Sequence, residues 1–263
     1  MLDQTIVITG ASGGIGAALA RQAAAAGARV VLAARRGDAL DRVAAECGPE
    51  ALAVVADVTR RDDVQRVLDE ALARFGHVDV WVNNAGRGIT RPVAELTDDD
   101  FDDMMRVNVK SALYGMQAVL PHFRERGTGQ IVNVSSMLGR VPWASFRSAY
   151  NAAKHALNAL TASLRIELRE AHPGIAVTTV SPGVVATDFG THALGGGPDS
   201  RGLPGAQPVD EVAGVILDAI RERRADVYTR PGMRERVAAY FAAEDMAAAE
   251  AAFAPPRPAA PQR

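Results

Sequence analysis

Lysine is nearly missing from this chain: of its 29 basic residues only Lys110 and Lys154 are lysine. Cysteine is scarcer, with Cys47 alone, so an internal disulfide is excluded, and no Cys/His cluster has zinc spacing. We therefore expect a reducing compartment and no metal. Aromatic residues make up 5%, and no stretch approaches the roughly 18 consecutive apolar residues of a membrane span. The formal charge is −2 and the arginines are scattered without a basic stripe, which argues against a nucleic-acid partner. The first strand signal begins within a few residues of Met1, with no charged and apolar leader ahead of it, so the expected location is cytoplasmic.

What is present is alternation. Strand-like apolar runs at residues 4–9, 28–34, 52–56, 78–82, 130–134, 175–180 and 226–229 are separated by helical patterns near 15–26, 37–47, 60–75, 98–126, 148–171, 208–224 and 231–253. This order predicts an α/β fold, a doubly wound parallel β-sheet of about seven strands in three α/β/α layers. One domain over 1–253 suffices for this length. The proline-rich tail 254–263 is expected to be disordered.

The scarce lysine has a pointed position. Lys154 follows Tyr150 by four residues, one turn further along the same helix face. Bringing a phenol from a pKa near 10 to about 7 takes about 4 kcal/mol, and a buried ammonium, a compact point charge unlike arginine's fork, can supply much of it. A Tyr-x-x-x-Lys spacing alone carries little weight, so its surroundings matter. The run Gln4–Thr9 leads into Gly10-Ala11-Ser12-Gly13-Gly14-Ile15-Gly16 and then an alanine-rich helix. Strand, glycine turn and helix start together form a pyrophosphate cradle. The same residues also match Gly-x-Ser-x-Gly, which would make Ser12 a hydrolase nucleophile, but no upstream loop precedes it and none of the five histidines has a triad setting. Three further strands end in small polar residues, at Asn83-Asn84-Ala85-Gly86, Ser135-Ser136 and Ser181-Pro182-Gly183, where ligands bind in an open parallel sheet.

Taken in order, Thr9-Gly10-x-x-x-Gly14-x-Gly16, Asn83-Asn84-Ala85-Gly86, Asn108, Ser136, Tyr150-x-x-x-Lys154 and Pro182-Gly183 resemble the short-chain dehydrogenase/reductase family, over about residues 4–230. The resemblance implies a Rossmann-type fold and hydride transfer between a nicotinamide cofactor and a ketone or secondary alcohol. It implies that Tyr150 is the general acid, that Lys154 lowers its pKa and holds the nicotinamide ribose, that Ser136 hydrogen-bonds the substrate oxygen, and that Asn108 positions a proton-relaying water. Cofactor contacts would come from Gly10, Ser12, Gly13, Gly14, Ile15, Gly16, Asp57, Val58, Asn84, Ala85, Gly86, Tyr150, Lys154, Pro182, Gly183, Val185 and Thr187. The Ser136–Tyr150 interval is one residue longer than usual for the family, leaving Ser135 as a substitute for Ser136, and Gly13 stands where many NADPH-using members carry a basic residue. Arg35 and Arg36, ending the second strand, suit a 2′-phosphate, so NADP(H) is expected. Asp38 keeps NAD(H) as the alternative.

The substrate is expected to be a small carbonyl compound or alcohol. Its pocket would be lined by Ser136, Leu138, Trp143, Phe146 and Leu194, with Arg87 or Arg147 available for an anionic group, although any of these could simply pack or be solvated. Residues 188–207, rich in glycine, read as a lid. Met105, Val109, Ala112 and Met116 recur at helical spacing, a stripe that fits an interface or burial against the sheet alone; the family resemblance implies a homodimer or homotetramer. A non-catalytic dinucleotide-binding sensor is the competing function, with the Ser12 hydrolase third.

Overall fold

The computed structural model describes residues 3–253, and the expected disorder of 254–263 lies outside them. Seven strands form one sheet: β1 (Thr5–Thr9), β2 (Arg29–Ala34), β3 (Ala51–Val55), β4 (Val80–Asn83), β5 (Gly129–Val134), β6 (Ile175–Ser181) and β7 (Asp226–Tyr228). Their order is β3-β2-β1-β4-β5-β6-β7 and every pairing is parallel. The chain winds outward from β1 to β3, then returns to place β4 beside β1. This reversal opens a crevice beyond the strands' carboxyl ends.

Each strand is apolar on both faces because helices cover both. Ile6, Ile8, Val30, Leu32, Val80, Val82, Val132 and Val180 face one layer, formed by α1 (Gly14–Ala25), α2 (Gly37–Cys47) and α7 (Val209–Arg221). Val7, Val31, Ala33, Trp81, Ile131 and Val177, offset by one residue, face α3 (Arg61–Phe75), α5 (Ser111–Arg126) and α6 (Ser148–Ala171). Each buried Val, Ile or Leu contributes about 1.5–3 kcal/mol.

Two helical stretches differ from their sequence reading. Residues 98–126 are α4 (Asp98–Met105) and α5, joined by a π-helical turn over Arg106–Lys110. A capping box starts α4: the Thr97 hydroxyl accepts from the Asp100 N–H and the Asp100 carboxylate accepts from the Thr97 N–H. Residues 231–253 are α8 (Met233–Phe241) and α9 (Met246–Phe253), because Asp245 accepts from the Ala248 N–H and starts a new helix there. No helix among the described residues is long and apolar enough to cross a membrane.

Candidate functional site

The glycine loop between β1 and α1 is held open by its neighbours. The Thr9 hydroxyl donates to the Val82 carbonyl and accepts from the N–H groups of Asn84 and Ala85, while the Asn84 amide donates to the Thr9 carbonyl at 2.9 Å. The ends of β1 and β4 are thereby stapled side by side. Gly10 and Gly14 have φ of 68° and 53°, which side chains rarely adopt. A Cβ on Gly10 would lie 2.8 Å from Ala85 Cα, and one on Gly14 would touch Thr187. No side chain caps α1, so the first N–H groups of that helix face the cradle. Arg36 lies over it, with Nε and Nη2 at 3.3 and 3.2 Å from Ser12 Oγ; Arg35 is exposed. This cradle fits a dinucleotide pyrophosphate, with Arg36 beside it.

The other expected cofactor residues ring the same crevice. Asp57 ends β3's loop, its carboxylate accepting from the Thr59 N–H and hydroxyl; Val58 packs into the core below. The Pro182 carbonyl accepts from the Met137 N–H at 2.8 Å, tying the β6 end to the β5 end. Val185 is buried, and Gly183 lies against the Arg230 side chain.

Tyr150 and Lys154 occupy the first turns of α6, buried to 8% and 3% exposure. Lys154 Nζ lies 5.6 Å from the centre of the Tyr150 ring and donates to the Val134 carbonyl at 3.0 Å. Ser136 accepts from the Leu138 N–H and stands by the phenol, whereas Ser135 turns away to the Lys154 carbonyl. Between Gly139 and α6 the chain runs as a loop over residues 140–147. Burial pushes the phenol up to about 12, against the opposing effects of hydrogen bonding to Ser136 and the charge of Arg147. Burial also pulls the Lys154 ammonium down to about 8.

Asn108 sits within the π-turn. Its amide donates to the carbonyls of Arg87 and Met104 and its oxygen accepts from the Arg87 N–H. A Cβ on Gly86 would meet Asn108 Oδ1 at 2.9 Å and Lys154 Nζ at 3.6 Å, so the β4 loop, the π-turn and α6 converge on one point.

The expected pocket residues divide. Leu138 and Leu194 pack with Tyr150, Ile89 and Met104. Trp143 packs toward α8 instead, with Met137, Val237 and Tyr240, and Arg236 lies over its ring. Phe146 is 40% exposed, with the Arg147 guanidinium over its ring. Sequence reasoning missed Phe189, whose ring lies 5.7 Å from that of Tyr150; an aromatic two residues after Thr187 in a loop was the available signal. The 188–207 segment is hydrogen-bonded over the β4 loop: the Leu194 N–H donates to the Gly88 carbonyl, the Thr90 N–H to Leu194 and the Thr90 hydroxyl to Gly196. The Ser12 hydroxyl meets Arg36 and no imidazole, so nothing there removes its proton.

A family model described as short chain dehydrogenase matches residues 4–194. The chain is 38% identical over 234 residues to YxnA of Bacillus subtilis, an uncharacterized oxidoreductase, covering 86% of this chain but 65% of YxnA. Among solved structures it is similar to a short-chain dehydrogenase/reductase from Burkholderia phymatum in complex with NAD, with a TM-score of 0.83 and 29% identity over 91% of this chain and 93% of that one. It is also similar to a short-chain dehydrogenase from Sphingobium yanoikuyae in complex with NADPH, with a TM-score of 0.78 and 31% identity over 90% and 91% of the two chains.

Proposed function

Because this chain belongs to the short-chain dehydrogenase family of oxidoreductases, we propose that it reduces a ketone, or oxidises the matching secondary alcohol, using NADP(H) in preference to NAD(H). The observation that carries this reading is the burial of Tyr150, Lys154 and Ser136 together beside a glycine cradle at the carboxyl ends of the central strands. A nicotinamide cofactor held by the glycine cradle, with its ribose at Lys154, would supply the hydride in reduction and accept it in oxidation. The chain's own residues handle the proton. Held near 12 by burial, the Tyr150 phenol keeps its proton at neutral pH and donates it to the carbonyl oxygen as negative charge develops there. Ser136 donates a hydrogen bond to that same oxygen, fixing its position. The phenolate left behind is stabilised by the Lys154 ammonium one turn away. Asn108, held by the backbone of Arg87 and Met104, shapes the turn on which a water resupplying that proton would rest.

The preference for NADP(H) rests on Arg36, whose planar fork over the cradle suits a 2′-phosphate. The 188–207 segment, already bonded to the β4 loop, serves as the lid. We also place a homodimer or homotetramer contact on α6, where Ile166 is 62% exposed. The Ser12 hydrolase and the non-catalytic sensor gain no support, since the first lacks a base and the second needs no buried Tyr–Lys–Ser set.

The test is cofactor oxidation, read by nicotinamide absorbance, with NADPH and NADH against a panel of aliphatic, aromatic, polycyclic and anionic ketones. Tyr150→Phe is expected to lower kcat/KM by roughly 10²–10⁴-fold while cofactor affinity is retained. Full activity in folded Tyr150→Phe would refute the acid assignment.

A further inference from the structure

Several arginines around the cleft are matched to carboxylates. Arg87 pairs with Asp103, Arg91 with Asp100, Arg106 with Asp103 and Arg140 with Asp226. Arg147 makes no ion pair among the described residues; its protein hydrogen bond runs from Nη1 to the Ile89 carbonyl at 3.2 Å. It is the N-cap residue of α6, three positions before Tyr150, a spacing that sets two residues on one helix face roughly 5–6 Å apart at Cβ.

Its guanidinium lies between two glycine walls. A Cβ on Gly88, in the β4 loop, would come within 2.9 Å of Nη1 and 3.0 Å of Phe189 Cε1, and one on Gly197, in the lid, within 3.2 Å of Nη2. Phe189 is the ring packed against Tyr150. The cation thus stands where the β4 loop, the lid and the catalytic tyrosine meet, and glycine keeps both walls from crowding it. It is half-buried, and that burial pulls it below the usual guanidinium range. A partly desolvated cation without an anion is costly unless a ligand supplies one.

We propose that Arg147 is the anion subsite of the substrate cleft and that the enzyme's substrates are oxo acids, with a carboxylate held by Arg147 while the ketone faces Tyr150. The proposal deepens the oxidoreductase reading and rests on it. A carboxylate fits better than a phosphate. The planar fork takes either anion in two hydrogen bonds, but the single charge of Arg147 balances a carboxylate, whereas a phosphate near −2 would need a second cation or further donors, and the nearby lid N–H groups of Leu194 and Gly196 are already bonded to Gly88 and Ala193.

The experiment compares benzoylformate and levulinate with their methyl esters, by turnover with each cofactor and by calorimetric titration into the cofactor-loaded protein. Wild type is expected to favour the acids. In Arg147→Met the acid-to-ester ratio should fall on the order of 10- to 100-fold, mostly through KM, and Arg147→Lys, which keeps the charge but not the fork, should recover part of it. A ratio that neither substitution changes, or no binding of either acid by wild type, overturns the subsite. Acid-selective binding lost in Arg147→Met but without turnover would uphold the subsite and refute the oxidoreductase reading; turnover with an unchanged ratio would do the reverse.

Discussion

Replacing Lys154 with methionine should make the protein more stable while abolishing its activity. The ammonium sits at 3% exposure, and burial lowers it from 10.5 to about 8. At about 1.4 kcal/mol per pH unit, this fall is a native-state penalty of about 3 kcal/mol at neutral pH. Methionine keeps an unbranched stem of similar length and drops the charge. One loss opposes the gain: the Val134 carbonyl gives up a donor at 3.0 Å, at a cost of about 1–3 kcal/mol if left dry. The balance is a net gain of about 0–2 kcal/mol at pH 7, or up to about 8 °C in Tm. The pH dependence fixes the cause. Below pH 8 the lysine is charged in both folded and unfolded chains, so the native state bears the whole penalty. Between pH 8 and 10.5 the folded chain sheds its proton first and the penalty disappears. Tyr150, raised to about 12, loses its contribution from pH 10 upward, but it does so in both proteins and cancels in the difference. Urea unfolding of cofactor-free wild type and Lys154→Met at pH 7 and pH 10 should show the variant's advantage shrinking or reversing at the higher pH. A variant less stable than wild type at pH 7, or an advantage independent of pH, would refute this reasoning.

The remaining predictions concern the cofactor cradle and the core. Arg36→Ala should reduce the kcat/KM preference for NADPH over NADH on the order of 10- to 100-fold, whereas Arg35→Ala, equally exposed but without the Arg36 bond to Ser12, should leave it nearly intact; the opposite result would move the phosphate contact to Arg35. Thr161→Val should cost about 1–3 kcal/mol in urea unfolding, because the buried Asn133 amide donates to the Thr161 hydroxyl at 2.9 Å and would lose that partner. A change under about 0.5 kcal/mol would mean that the amide finds another acceptor.

The sheet was readable because its strands are short apolar runs, several of them ending in small polar residues, and the helices between them set a parallel order. The cradle and the Tyr150–Lys154 pair were readable because their chemistry needs fixed residue types at fixed local spacing. What escaped was decided at long range. Met105, Val109, Ala112 and Met116 keep helical spacing straight across residues 106–110, so periodicity cannot reveal the π-turn. That turn is tied to Asn108 bonds with Arg87, 21 residues away. Arg35 and Arg36 are equivalent as letters, and only the path of the chain beyond β2 brings the second onto Ser12. Trp143, between Ser136 and Tyr150, could by sequence line the pocket or pack, and it packs with Met137, Val237 and Tyr240 on the α8 side. The break between α8 and α9 depends on a single Asp245 cap in an otherwise alanine-rich run.

The near absence of lysine gives the surface an unusual chemical silence. Lys110 is exposed while Lys154 lies at 3% exposure under the β4 loop, so amine-directed acylation of the folded protein has one fast side-chain target besides the α-amino group. Slower modification of a second lysine must then be at Lys154, and its rate measures how often the interior of the site is uncovered. Arginine elsewhere thus leaves the Lys154 ammonium as an almost background-free reporter of the site's own opening.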